Sequence, residues 1–401
     1  MIPFSPPRID EKTIAEVTDA LQSGWITTGP KTKLFEQRLA EFIGVSHVVC
    51  LNSGTAGMQL ILNWLGIKQG DEVIIPAYTY CATANVVIHA GATPVMVDVN
   101  EADFNISIAA VKKAITAKTK AIIAVDIAGY PADYDELHQM VRENQIQPLY
   151  NPENAIQQKI NRIAIVADAA HSIGGIYNGN RTGNQADMSS FSFHAVKNLT
   201  TAEGGAVAFN LDGFSSQELQ QKFKVSSLHG QTKDAFSKNQ IGAWKYDVVE
   251  AGFKCNMTDL QAAIGLVELK RYEETLARRK AIFEKYQAAF SEKAWAKVPL
   301  FSSDNKTSSY HLYMLRIKNI SEDKRDAIIA KISEKKVAVN VHYLPLAMLT
   351  YYRNKGYTIN DYPQTYENYK SEITLPVYYN LTDSQVETVI NAVVESVEEV
   401  I

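Results

Sequence analysis

The segment "IVADAAHSIGG", residues 165–175, governs how the rest of the chain is read. It opens with apolar residues that do not alternate with polar ones, as expected of a strand covered on both faces. It then ends in Asp168 and a series of small residues. In open sheets of that kind, ligands bind beyond the carboxyl ends of the strands. Asp168 therefore has two readings. It is either a helix-capping aspartate after a strand, or an acid at the bottom of a cleft that pairs with a cation.

The same pattern extends outward. "HVVCLN" (47–52) precedes the helix-like "GMQLILNWLG" (57–66), and "DEVIIP" (71–76) precedes "CATANVVIHAG" (81–91). "TPVMVDV" (93–99) and "KAIIAVDIAG" (120–129) are each followed by a helical pattern, and "GGAVAFN" (204–210) closes the series. Strand, helix, strand at this spacing implies right-handed crossovers and a mainly parallel sheet. After about residue 250 the pattern changes. The spacing predicts one long helix over 257–290 with Thr258 as N-cap, strands at 310–317 and 337–345, and helices at 322–336 and 383–400. The expected architecture is α/β. A large domain, residues 1–250, carries a mainly parallel, seven-stranded-type sheet between helices. A smaller α+β domain, residues 251–401, is joined to it by the long helix.

Composition narrows the function classes. The chain has 401 residues, 46% apolar and 21% charged, the balance of a globular protein with a large core. Its net charge of −4 argues against a nucleic-acid partner, which wants a basic face. Three cysteines, Cys50, Cys81 and Cys255, show no metal-like spacing and suit a reducing cytosol. No secretory leader and no apolar run near the ~18 residues of a membrane span is visible, so a cytoplasmic protein without a membrane partner is expected.

Three further stretches lie at strand ends. "NSGTAGMQL" (52–60) is a small polar turn entering a helix, either a plain cap or a phosphate site built from Gly54, Thr55 and Ala56. "PAYTYCAT" (76–83) places Tyr78 and Tyr80 where an aromatic stacks on a planar ring or simply packs in the core. "SFSFHAVK" (190–197) ends in Lys197, either a turn lysine or one that forms a Schiff base with a carbonyl, with Ser192 beside it. The order is phosphate turn, aromatic, acid, lysine. Pyridoxal phosphate has four things to hold, namely phosphate, ring face, ring nitrogen and aldehyde, and these candidates match them one for one.

With those residues in place, the sequence resembles a known family. "GWITTGP", "NSGTAGMQL", "PAYTYCAT", "ADAAHSIGG", "FSFHAVKNLTTAEGG", "NMTDLQAAIG" and "VHYLP" look like the DegT/DnrJ/EryC1/StrS sugar aminotransferases of the fold type I pyridoxal phosphate superfamily. The resemblance implies that Lys197 forms the Schiff base and moves a proton, and that Asp168 pairs with the pyridine nitrogen. It implies Tyr80 on one ring face and His171 on the other. Thr55, Ala56 and Ser192 would hold the phosphate. A homodimer with a shared site is implied, its partner lending a phosphate contact from a "GxNxR" motif. Here that motif is "GFKCNMTD" (252–259), with Lys254 at the usual Asn and Asn256 at the usual Arg. Thr27, Thr28, His194, His342 and Tyr343 are candidates for the substrate cleft; His342 is equally readable as a packed, hydrogen-bonded histidine.

The resemblance further implies L-glutamate as donor, pyridoxamine phosphate in the second half-reaction, and a nucleotide-linked keto sugar as acceptor. "HAVKNLTTAEGG" (194–205) looks more like members acting at carbon 4 than those acting at carbon 3, which favours a 4-keto-6-deoxyhexose on UDP, dTDP or GDP. A sugar dehydratase is the nearest rival, but such members carry His where this chain has Lys197. A non-enzymatic regulator would want a basic helix-turn-helix, which the chain lacks. A nicotinamide dehydrogenase would want G-x-G-x-x-G, which "NSGTAG" is not.

Overall fold

A computed structural model of the protein describes residues 1–233 and 245–401. The strands of its largest sheet are β1 (Val48–Leu51), β2 (Glu72–Pro76), β3 (Thr93–Val97), β4 (Thr119–Val125) and β5 (Ala164–Asp168). After the two-residue strands β6 (Ile176–Tyr177) and β7 (Asn180–Arg181) come β8 (Met188–Ser192) and β9 (Gly205–Phe209). The sheet has seven strands in the order β1-β9-β8-β5-β4-β2-β3. All neighbours pair in parallel except β9, which runs against both β1 and β8. The expected mainly parallel sheet is present.

The unalternating sequence of the central strands has a direct cause. Every residue of β4 and β5 is buried. Ile122, Ala124, Ile165 and Ala167 pack into a core with Phe35 and Leu39, on one face. Ala121, Ile123, Ala164 and Val166 pack with Leu60 and Ile61 on the other. Side chains still alternate with period two, but both faces need apolar residues.

A separate core forms near the C-terminus. Here β10 (Ala296–Lys297), β12 (Tyr313–Ile317) and β13 (Glu372–Leu375) make a three-stranded sheet. Helices Glu322–Glu334 and Asp383–Glu398 pack on it through Ile328, Ile332, Val386 and Val389. The strand β11 (Lys306–Thr307) pairs instead with β6, in a separate three-stranded sheet of order β11-β6-β7.

Two expectations are corrected. The predicted helix over 257–290 is two helices, Asp259–Lys270 and Tyr272–Phe290. Arg271 leaves helical geometry at φ −110°, ψ 13°, and its guanidinium binds Asp10, Glu268 and the Arg8 carbonyl. Thr258 does cap the first helix, in a capping box with Gln261. Within the second helix Leu276 still belongs to a large-sheet core, whereas Ile282 belongs to the C-terminal one. The predicted strand at 337–345 forms only isolated bridges, Val337 with Ile2 and Asn340 with Thr374. Beyond Asn340 the His342 N–H turns to the Glu372 carboxylate instead of a neighbouring strand. Among the described residues, no helix is long and apolar enough to cross a membrane.

Candidate active site

The carboxyl ends of β1, β2, β5 and β8 face a cavity of about 480 Å³, closed on the far side by the segment that holds His342 and Tyr343. Gly54, Thr55, Tyr80, Asp168, His171 and Ser192 line it, as do His194, Lys197, His342 and Tyr343. Four stretches far apart in sequence are thus brought together because each follows a strand of one sheet.

The turn after β1 enters the helix Gly54–Trp64. Ser53 stands in extended backbone and its Oγ accepts the Ala56 N–H at 3.1 Å. Among the described residues, the N–H groups of Gly54 and Thr55 have no partner, which leaves them for an anion at the positive end of the helix. Ala56, expected to share this task, is outside the cavity lining and its N–H is already bound. Glycines let the helix start sit against the sheet. A Cβ on Gly54 would lie 2.9 Å from the Phe191 carbonyl oxygen, and one on Gly205 2.3 Å from the Gly54 nitrogen.

Asp168 is buried at the end of β5. Its Oδ2 accepts the Thr83 hydroxyl at 2.8 Å and its Oδ1 the Ala170 N–H at 3.3 Å. Burial raises its pKa, while Thr83, the Ala170 N–H and the charge of Lys197 pull it back down. Lys197 lies across the same cavity, and burial lowers its amine to about 8 against the opposing pull of Asp168. Among the described residues nothing hydrogen-bonds that amine. Lys197 is therefore no solvated turn lysine.

His171 is buried, with its pKa held well below the ordinary value by burial, Lys197 and His342, so the ring is neutral. Its Nε2 is 2.9 Å from the Tyr343 hydroxyl, and its Nδ1 is buried without a partner. Tyr80 is 58% exposed and leans on Tyr343 with ring centroids 5.8 Å apart. For Tyr78 the core reading holds. It is fully buried, packs on Phe104, and donates to the His342 carbonyl at 2.6 Å. His194 is exposed at the rim, 3.6 Å from Glu203. Ser192 Oγ accepts the His194 N–H at 3.4 Å.

Thr27, Thr28, Lys254 and Asn256 do not line the cavity of their own chain. The Thr27 carbonyl accepts the Asp259 N–H at 2.9 Å, and Thr28 donates to the Met257 carbonyl at 2.5 Å. Asn256 donates to the Thr28 hydroxyl at 2.6 Å and accepts a hydrogen bond from the Lys254 amine.

Sequence reasoning passed over several residues at the site. Thr83 carries the sharpest missed signal, a hydroxyl in the first turn of a helix that starts beside the cavity. His311 lies 4.4 Å from the His171 ring by centroid, and its Nδ1 is 2.8 Å from Oδ1 of Asn198, next to Lys197. Phe4 stacks on His342 at 5.5 Å. These come from distant loops, and no local pattern marks them.

The residues present fit pyridoxal phosphate. They offer an unpaired amine, a buried carboxylate with lone pairs to spare, two free N–H groups at a helix start, and an orphan buried ring nitrogen at the cavity edge.

Comparison with known proteins agrees. The model of the DegT/DnrJ/EryC1/StrS aminotransferase family matches residues 7–394. The solved "Putative sugar aminotransferase Spr1654" of Streptococcus pneumoniae, in its PMP form, is 45% identical with a TM-score of 0.96, covering 100% of both chains. Its PLP form is 44% identical with a TM-score of 0.95, covering 100% of this chain and 99% of that one. "Uncharacterized protein MJ1066" of Methanocaldococcus jannaschii is 39% identical over 402 residues, 99% of this chain and 98% of its own. "Spore coat polysaccharide biosynthesis protein SpsC" of Bacillus subtilis is 36% identical over 396 residues, 98% of this chain and 96% of its own. A buried acid, an unpaired lysine and a free helix start at the strand ends of one parallel sheet, with a family match over nearly the whole chain, lead to one statement: this chain belongs to the DegT/DnrJ/EryC1/StrS aminotransferase family.

Proposed function

We propose that the protein is a pyridoxal phosphate-dependent aminotransferase that moves the amino group of L-glutamate to a nucleotide-linked keto sugar, at carbon 4 of a 4-keto-6-deoxyhexose carried on UDP, dTDP or GDP. The observation that carries the reading is Lys197, an amine without a hydrogen-bond partner among the described residues, in one cavity with the buried carboxylate of Asp168. The sugar part is supported by the name of Spr1654 and by the polysaccharide role in the name of SpsC. The carbon 4 part rests on the wording of residues 194–205.

When bound, pyridoxal phosphate supplies an electron sink that stabilises a carbanion beside the transferred nitrogen. Lys197 takes the proton at its Nζ and returns it, a task suited to an amine lowered to about 8. Asp168 supplies a negative charge at the cavity floor, and a cation beside it would draw its raised pKa back down. Gly54 and Thr55 N–H groups with the Ser192 hydroxyl hold a phosphate. His171 and Tyr80 hold a flat ring between them, and Tyr343 fixes the His171 ring through Nε2. Lys254 and Asn256, outside their own cavity, serve the site of a second copy in a homodimer.

The test is an assay with L-glutamate and UDP-, dTDP- and GDP-linked 4-keto-6-deoxyhexoses, with the product examined by NMR. Nitrogen on carbon 4 is expected. Nitrogen on carbon 3 would overturn the position, and no transfer to any keto sugar would overturn the function.

A further inference from the structure

His342 lines the cavity, yet its partners lie behind it in the C-terminal sheet. Its Nδ1 is 2.9 Å from the Thr374 hydroxyl, which in turn hydrogen-bonds Glu372 Oε1. The other carboxyl oxygen of Glu372 accepts the His342 N–H at 3.0 Å. Glu372 and Thr374 are both 0% exposed. Among the described residues, His342 Nε2 has no partner. Phe4 covers one face of the ring at 5.5 Å, which fixes its plane.

A hydroxyl carries one proton, so Thr374 donates either to Glu372 or to His342, never to both. We infer that Glu372, acting through Thr374, sets the tautomer of His342 and thereby decides whether Nε2 offers the cavity a donor or an acceptor. With Glu372 protonated, it donates to Thr374, Thr374 donates to Nδ1, and Nε2 carries the ring proton. With Glu372 ionised, Thr374 donates to the carboxylate, Nδ1–H donates to Thr374, and Nε2 is a bare lone pair. The change releases one proton. It is the proton on Nε2 that leaves to solvent, and each proton behind it moves one place along the chain.

The surroundings place this change in a working range. Arg325, from the helix Glu322–Glu334, and Arg316, from β12, face Glu372 and favour its charge. Tyr78 and Tyr343 face it from β2's end and from its own covering segment, and both are buried phenols held protonated. Burial outweighs the two arginines and lifts Glu372 to about 8. His342, facing Lys197 across the cavity, is lowered to about 3 by burial and by that amine, so the imidazole stays neutral throughout. Glu372 is therefore a positioning residue. Below about pH 8 His342 presents N–H, which suits a phosphate, carboxylate or keto oxygen; above it, a lone pair that suits a hydroxyl. That consequence rests on the cavity being the substrate site, whereas the tautomer itself does not.

The test needs no substrate, so its outcome is independent of which donor or sugar the enzyme uses. Holoenzyme labelled with 15N-histidine is followed by long-range proton–nitrogen NMR from about pH 6.5 to about pH 9.5, with His342→Asn assigning the ring. The expected result is a swap of the protonated nitrogen from Nε2 to Nδ1 near pH 8. Glu372→Gln should hold the Nε2–H form across the range, since its carbonyl oxygen keeps the His342 N–H and its NH2 then faces Thr374 as a donor. Thr374→Ser should keep the swap and Thr374→Val abolish it, which preserves the test if Glu372→Gln does not fold. A tautomer that stays constant in the folded wild type, or a swap that persists in Glu372→Gln or Thr374→Val, would overturn the inference.

Discussion

The Thr83 hydroxyl donates to Asp168 Oδ2 at 2.8 Å, from the first turn of the helix Cys81–His89. Thr83 is fully buried and holds a second hydroxyl, that of Thr79, at 2.9 Å. A hydrogen bond to a charged group contributes about 1.5–3 kcal/mol. Removing it from Asp168 favours the neutral acid, which adds to the upward shift already imposed by burial. Thr83→Val is expected to move the acid limb of cofactor binding upward by about one pH unit, since 1.4 kcal/mol is one such unit. Retention of pyridoxal phosphate should weaken about tenfold at low pH and little at high pH. A titration of cofactor affinity against pH checks this, and an unmoved acid limb would refute it.

Lys197 makes a prediction with two signs to work out. Its amine loses a proton as pH rises through about 8, so capture of added pyridoxal phosphate by the cofactor-free protein should speed up through that value and then level off. Its ordinary pKa is about 10.4 in an unfolded chain, so between about 8 and about 10 the unfolded state binds more protons than the folded one. Stability of the cofactor-free protein should rise with pH across that window and lose that slope in Lys197→Met. Removal of a general base typically lowers rate by about 10²–10⁴. Stopped-flow absorbance and denaturant melts read the two effects, and transamination turnovers at wild-type rate in Lys197→Ala would sink the assignment.

Gly205 supplies a test of the phosphate turn. Its Cβ would stand 2.3 Å from both the Gly54 nitrogen and the Ser53 carbonyl carbon, so Gly205→Ala must push the helix start off β9. Forcing extra volume into a packed site costs roughly 1–3 kcal/mol. Because the atoms displaced are those beside the free N–H groups, cofactor affinity should fall together with stability. Thermal melts with and without pyridoxal phosphate separate the two. An unchanged ligand-induced rise in Tm would mean that the turn does not hold the phosphate.

The parallel sheet was legible because burial on both faces of β4 and β5 removes polar residues from the sequence. The strand-end residues were legible because the small, polar turn after each run stands out against it. Other features follow from partners far along the chain. The break at Arg271 depends on Asp10 and Arg8, and no residue between 257 and 290 announces it. The segment 337–345 has a strand's composition, yet after Asn340 its backbone is claimed by the Glu372 carboxylate. Ala56 reads as a phosphate ligand in the sequence, whereas in the structure its N–H donates to the Ser53 hydroxyl. Spacing identified the turn but not which of its donors was already used.

Lys254 and Asn256 offer a test of whether sites are shared between copies. Both carry chemistry suited to an anion, they bond each other, and neither reaches the cavity of its own chain. If they act across a dimer, Lys254→Ala/Asn256→Ala damages the partner's cavity and leaves its own lysine intact. Lys197→Ala has the opposite defect. Each variant alone should be impaired, the double variant at residues 254 and 256 through weaker cofactor retention and Lys197→Ala through loss of the proton carrier. In a mixed dimer, one cavity combines the intact Lys197 of one chain with the intact Lys254 and Asn256 of the other. Unfolding and refolding the two variants together should therefore restore one good site per mixed dimer. If the residues act within their own chain, no mixed dimer contains an intact site and mixing restores nothing. The measurement is transaminase rate and cofactor absorbance before and after mixing, with sedimentation to show that dimers have formed.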